Sequence, residues 1–407
     1  MGSAVSANVG RPMTEGAGTV RPIHVATLHR PGDLIGGIQK HYTVFAAEAR
    51  KCGHTVDVLT PFHTPKLLWL VLLGIGKALV GLSKPLHAWW YEYTRLHLLK
   101  RALAGHVSSH APSIIYAQDP VSAEAALHLK ARGYPVEVVS AVHFNLSTAD
   151  EWVGKGYLKR GGWLYRRMLV RDARVLPRLD RLVFVSHFME QQVRRRLPHA
   201  AHVPSRVVPN FVPAPAVTSD APTRAELISI GTLEPRKNQG FLLDVLACAH
   251  ARGHRYRLTL AGDGPARGEL QAKAKALRLD AFVTFLGTLP DAAAALGQHL
   301  VYVHAARMEN LPLVLIEALA AGRPAFAAPV GGVPEVFRHG AEGFYWSLDD
   351  PGGAAEALIA VLEDKTLYDN LAAAARMRHA RHFSVGAVQD ELLAAVTGRA
   401  PGERAGR

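Results

Sequence analysis

The chain has 407 residues, enough for two or three domains. Hydrophobic residues make up 49% and charged residues 20%, which excludes a disordered, collagenous or low-complexity chain. Lys and Arg outnumber Asp and Glu by 47 to 34, and the resulting net charge of +13 points to an anionic partner: nucleic acid, an anionic membrane surface or a phosphorylated substrate.

Residues 1–20 are small and polar and read as a disordered N-terminus without the apolar core of a signal peptide. Short β-branched runs then alternate with helical stretches. Pro22–Leu28, Thr55–Thr60, Ser113–Gln118, Glu137–His143 and Arg181–His187 read as buried strands. Gln39–Lys51 and Val121–Arg132 read as helices between them. A Pro/Ala/Ser/Thr-rich stretch at 212–224 reads as an interdomain linker. The strands recur at Glu226–Gly231, Tyr256–Gly262, Phe282–Gly287, Leu300–Ala305 and Pro324–Ala328. The expected fold is α/β: two doubly wound, Rossmann-like parallel-sheet domains, 21–211 and 225–381, facing across a cleft. Residues 382–407 are expected to form a helix returning to the first domain, then a tail. Two cysteines, Cys52 and Cys248, cannot build a disulfide framework, so a reducing compartment is expected.

In such folds, ligands bind in loops after the strands. After the strand ending near Ala305 comes Glu309-Asn310-Leu311-Pro312-Leu313-Val314, and Glu317 follows inside the next helix. Pro312 suits the first helical position and Gly322 the C-terminal cap. The free amides from Leu311 to Val314, Pro312 excepted, make an anion site. Glu309 and Glu317 are eight residues apart, too far to share a proton. Two carboxylates around one anion site suit a nucleotide sugar: sugar hydroxyls on one side, diphosphate in the middle and ribose on the other.

The E-x7-E run in its NLPLVLIEALAAGRP context resembles the retaining glycosyltransferases of family 4, which have the GT-B fold, and in particular those of bacterial polysaccharide assembly. Other pieces match in order. Gly231 to Asn238 resembles the family's phosphate-binding strand–loop, Ala261 to Pro265 the next loop, and Val330 to Glu335 the loop after the E-x7-E helix. Gly36-Gly37 and Gly53 to Val56 resemble its opening, and Val208-Pro209-Asn210 the segment before its linker. His143 matches its active-site histidine. Where the family commonly has Arg after the strand glycine, this chain has Thr232, so Arg236 takes that part.

The resemblance implies transfer of a hexose-type sugar from a nucleotide sugar to an acceptor hydroxyl, with retention. It implies that Glu309 holds sugar hydroxyls, Glu317 the ribose, and Arg236 and Lys237 the leaving diphosphate. Adjacent cations can neutralise that charge. Gly36, Gly37, Gly231, Gly262 and Asp263 would line the donor site. No Asp-x-Asp triplet occurs, so no metal or other cofactor is expected, the nucleotide sugar being a substrate. Other readings are a non-catalytic binder on a degenerate GT-B fold, or a same-fold epimerase or phosphorylase.

Two stretches of the first domain bear on the acceptor. Leu67–Gly76 is a ten-residue apolar run interrupted by Lys77. It is too short for a ~20-residue span. It reads either as a core or covering helix, or as an interfacial helix anchored by Trp69, Trp89 and Trp90 with Lys66, Lys77 and Lys84 at headgroup level. Between Lys155 and Arg196, twelve cations, including Arg166, Arg167, Arg171 and Arg174, stand against three carboxylates. This is either a solvated helical face or a docking surface for anionic lipid. No nucleic-acid motif accompanies it, so nucleic acid is not expected as a partner. Together the stretches suggest a lipid-linked acceptor and a cytoplasmic protein held peripherally on the inner face of the plasma membrane.

Overall fold

The computed structural model describes residues 21–30, 36–144, 147–215, 225–289 and 292–400. The N-terminal segment 1–20, most of the 212–224 linker and the last seven residues lie outside them. Six parallel strands form the first sheet: β1 (Ile23–Ala26), β2 (Val56–Leu59), β3 (Ser113–Ala117), β4 (Val136–Val142), β5 (Arg181–Phe184) and β6 (Ser205–Val207), in the order β2-β1-β3-β4-β5-β6. The second holds β7 (Ala225–Ile230), β8 (Leu258–Ala261), β9 (Val283–Gly287), β10 (His299–His304), β11 (Ala325–Ala327) and β12 (Gly343–Tyr345), in the order β12-β11-β10-β7-β8-β9. Strands buried on both faces explain the continuous apolar runs, such as IHVA in β1 and SIIYA in β3. The edge strands β6 and β12 are three residues each, too short for a periodic signal.

Strand order reverses between β1 and β3 in one sheet and between β10 and β7 in the other. Crevices open at such switch points, beyond the carboxyl ends of the strands. The loops after β1, β7 and β10 therefore carry the candidate site.

After the second sheet the chain crosses back. Helix Val385–Thr397 packs Val388, Leu392, Ala395 and Val396 into the first domain's core, against Ile23, Val25, Tyr42 and Tyr116. Arg181 Nη2 donates to the carbonyl of Val396 at 2.9 Å.

The apolar run forms helix Lys66–Leu82, paired with helix Lys84–His106. Ser83 breaks the two apart with extended backbone and caps the second helix through the Leu86 amide. Trp90 Nε1 donates to the Leu72 carbonyl at 2.9 Å, and the Trp90 ring lies over Gly76. The core-helix reading does not hold: Gly76 is the one buried residue of the first helix, while Leu67 and Leu82 are 75% and 78% exposed. No described helix is long and apolar enough to cross a membrane.

The basic stretch divides. Arg166, Arg167 and Arg174 are exposed on helix Trp163–Val175. Arg171, expected on the same surface, is not there: its side chain is only 11% exposed. Its Nη1 meets Glu92 Oε2 at 2.5 Å and its Nη2 meets Asp172 Oδ1 at 3.3 Å, tying this helix to the hairpin. Burial pushes the Asp172 carboxyl up to about 6 even with the guanidinium beside it. Carboxylates beyond the stretch take up other cations, as Glu124 does for Arg174 and Glu137 for Arg181. The exposed cationic face is thus smaller than the linear count suggests.

Arg171→Ala strands the buried Asp172 and the mostly covered Glu92, and urea unfolding should show a loss of about 3–5 kcal/mol. Arg166→Ala and Arg167→Ala should each change stability by no more than about 0.5 kcal/mol in the same assay.

Candidate functional site

A cleft of about 420 Å³ lies between the two domains, and its lining includes every residue named above for catalysis or donor binding. The N-terminal domain contributes Gly36, Gly37 and His143. The C-terminal domain contributes Gly231, Arg236, Lys237, Gly262, Asp263, Glu309, Asn310, Leu311, Pro312, Leu313, Val314 and Glu317. Lys40, Glu151 and Asn210, without assigned roles from sequence, also line it.

The turn after β10 is held from behind by two glycines. A Cβ on Gly331, whose φ is +58°, would lie 1.8 Å from the Glu309 carbonyl oxygen. One on Gly332 would lie 1.7 Å from that of Asn310. The turn leads into helix Leu313–Ala320. Pro312 is its N-cap rather than its first helical residue, and Gly322 takes the left-handed φ of +65° just past Ala321. The amides of Leu313 and Val314 precede the first intrahelical bond, Leu315 to Pro312, and lie at the cleft wall. They present the anion-seeking end of the helix. Gly37 approaches this end from the other domain, where a Cβ would come within 3.0 Å of Leu313 Cδ1.

Glu309 is buried, and its Oε1 accepts from Lys237 Nζ at 2.5 Å and from His304 Nε2 at 3.0 Å. Arg236 Nη1 stands 3.9 Å from its Oε2. Burial works to raise the Glu309 carboxyl's pKa, but Lys237, His304 and Arg236 outweigh burial and hold it well below the usual carboxylate range. Burial likewise keeps His304 neutral. Its Nε2 faces the ionised Glu309 carboxylate and therefore donates, while its Nδ1 meets the Tyr302 hydroxyl at 3.0 Å. Arg236 is steadied by Glu234 at 2.7 Å and packs against Gly154 of the first domain.

His143 sits at the end of β4. Its Nε2 faces Gln118 Oε1 at 3.1 Å, and its ring meets that of buried His41 edge-on at 4.7 Å. Burial, with His41 and His29 nearby, lowers its pKa well below the ordinary value, so the ring is neutral. With Nε2–H donated to Gln118, Nδ1 carries the lone pair. Glu317 is buried and paired with Lys40, across the domain boundary.

Asn310 corrects its expected role. Its Oδ1 accepts from Ser186 Oγ at 2.5 Å, and its Nδ2 donates to the carbonyls of Val142 and Phe144, both at 3.2 Å. The side chain clamps the two domains together and is not free for a donor. Asn210 Nδ2 adds a clamp to the Leu311 carbonyl at 2.8 Å, while the Leu311 side chain is part of the core. Asp263 is at the cleft rim, with its side chain 58% exposed. Lys40, His304 and Gln118 were missed. Lys40 lies one turn into the helix after Gly36-Gly37 and His304 ends β10, positions where such groups can be sought. Trp69 and Lys77 are not in this cleft; they lie in the helical hairpin. Among the described residues, no three His, Cys, Asp or Glu side chains group so as to hold a metal ion.

Comparison with known proteins agrees with this architecture. The family model described as Glycosyltransferase Family 4 matches residues 35–214, and that of Glycosyl transferases group 1 matches residues 215–378. The chain is 35% identical over 120 residues to N-acetyl-alpha-D-glucosaminyl L-malate synthase of Bacillus anthracis, covering 30% of this chain and 32% of that protein. Across the first curated relatives it spans about a third to two thirds of their length. Sucrose-phosphate synthase of Thermosynechococcus elongatus superposes with a TM-score of 0.73 at 18% identity, over 93% of this chain and 98% of that one. Anabaena HepE, solved with UDP and glucose, superposes at 0.61 and 17% identity, over 93% and 99%. With two family models tiling both domains over a two-sheet GT-B fold, the chain belongs to the family 4-like glycosyltransferases.

Proposed function

We propose that the chain transfers a hexose-type sugar from a nucleotide-sugar donor to an acceptor hydroxyl, with retention of anomeric configuration. One observation carries the reading. The free end of helix Leu313–Ala320, the Arg236–Lys237 pair and the two buried carboxylates Glu309 and Glu317 converge on one cleft. The amides and cations suit a diphosphate. Lys237 and Glu309 satisfy each other across 2.5 Å; a donor offers the ammonium a phosphate and the carboxylate sugar hydroxyls. Arg236 and Lys237 stabilise the departing diphosphate in place of a metal ion. The departing phosphate takes the acceptor proton on the face where the new bond forms, so no protein nucleophile is needed. Neutral His143 accepts a sugar hydroxyl at Nδ1, and Glu317 exchanges Lys40 for the ribose hydroxyls. HepE, bound to UDP and glucose, makes UDP-glucose the first donor to test.

The acceptor is lipid-linked, and the protein works peripherally on the cytoplasmic membrane face. The exposed apolar side of helix Lys66–Leu82 supports this, with Lys66, Lys77 and Lys84 around it and Arg166, Arg167 and Arg174 on the same domain.

Glu309→Ala and Lys237→Ala should each abolish most sugar transfer while circular dichroism stays native; near-wild-type turnover would remove that residue from the mechanism. A thermal-shift screen with UDP- and GDP-sugars should give one donor-specific rise in melting temperature that survives EDTA. A rise lost on chelation would contradict metal independence. The full chain should cosediment with phosphatidylglycerol vesicles at low salt and release as salt rises. No binding at low salt would end the membrane assignment.

A further inference from the structure

A second cavity of about 220 Å³ opens at the helical hairpin. Phe62, Trp69, Leu72, Leu73, Trp90 and Leu98 give it an apolar wall. Its lining also holds two cations, Lys77 and Arg95, and no carboxylate. Arg95 is the unusual group. Its guanidinium lies 3.5 Å from the centroid of the Tyr91 ring, and its Nε is buried with no hydrogen-bond partner. Among the described residues it has no carboxylate within ion-pair distance. A desolvated guanidinium with an unmade hydrogen bond is costly unless something completes it.

The surroundings add charge of the same sign. Arg30 stands over the Trp69 ring, 6.0 Å from its centroid, and Lys155 over Trp152 at 5.4 Å. His29 feels the charges of Arg95 and Lys155, and His143 in the cleft feels that of His29. Burial, then Lys155 and Arg95, lowers the pKa of His29 to about 4, so it remains a neutral hydrogen-bonding group.

We propose that the groove binds the hydrocarbon chain of a phosphate-linked lipid acceptor, with the Arg95 guanidinium pairing with its phosphate and the acceptor hydroxyl reaching His143. This rests on the glycosyltransferase reading and gives its acceptor a site. The occupant is a single lipid molecule rather than the bilayer surface. A bilayer can cover the exposed outer face of helix Lys66–Leu82, but Arg95 is recessed between the two helices. A long chain leaves the groove along that same outer face, where Leu67, Leu70, Val71 and Ile75 are exposed. Charge complementarity sets the head group: cations without carboxylates favour an anion, and a forked guanidinium favours phosphate.

Trp69 and Trp90 line the groove and report its occupancy. Farnesyl phosphate, kept below its aggregation concentration, is titrated into the full-length protein with tryptophan fluorescence as the readout, beside farnesol, inorganic phosphate and phosphatidylglycerol vesicles. Farnesyl phosphate should saturate with an affinity at least tenfold tighter than farnesol or inorganic phosphate. Arg95→Gln should erase the advantage over farnesol, and Arg95→Lys should restore part of it. Leu73→Glu should weaken both farnesyl ligands at least tenfold. Equal affinity for farnesol and farnesyl phosphate, or an unaltered Arg95→Gln protein, measured at a salt concentration that releases the protein from vesicles, would overturn the proposal. Donor-induced thermal stabilisation of the wild-type protein separates the two readings. Its loss with chain binding intact would strike the glycosyltransferase assignment, and the reverse result would strike the groove.

Discussion

The structure depends on the close approach of two backbone turns, Glu309-Asn310 against Gly331-Gly332. No side chain fits between them. That contact fixes the turn from Glu309 to Pro312, with three outputs. Glu309 is aimed into a cationic pocket, Asn310 is aimed at the opposite domain, and Pro312 starts a helix whose free amides face the cleft. Carboxylate, clamp and anion site are therefore one rigid unit. Displacing the glycines would disturb all three together, which an inspection of the charged residues alone would not suggest.

Electrostatics in the cleft follows from that rigidity. Glu309 stays ionised although buried, because Lys237, Arg236 and a neutral His304 surround it. His304 donates from Nε2 because the carboxylate facing it can only accept, and Tyr302 holds its other nitrogen. The site is preorganised in this sense: its charges are already oriented, and a ligand exchanges partners instead of ordering loose side chains. The Lys40–Glu317 pair repeats the arrangement about one turn into the helix, across the domain boundary.

Much of this was legible in the sequence, for physical reasons. Doubly buried strands such as β3 and β4 write themselves as apolar runs, and the loops after them are where an α/β fold keeps its chemistry. Glu309, Glu317 and the Arg236–Lys237 pair stand out because charges at such positions are expensive unless used. Hidden features depend on partners distant in the chain. Asn310 looked like a ligand group until Ser186, Val142 and Phe144, more than a hundred residues away, were seen to saturate it. Arg171 looked like one more surface cation, but Glu92 had folded over it from the hairpin. The exposed apolar face of helix Lys66–Leu82 could not be told from a core helix by composition, since hydrophobicity records what a segment avoids and not what covers it.

Helix Val385–Thr397 has a consequence of its own. Because it completes the first domain's core, the polypeptide passes between the domains twice, once near 212–224 and again near 382–385. The N-terminal domain is also discontinuous in sequence. Expressed as 21–211 alone, it would expose the apolar seat of Val388, Leu392 and Val396, so the C-terminal domain is topologically an insertion within the N-terminal one.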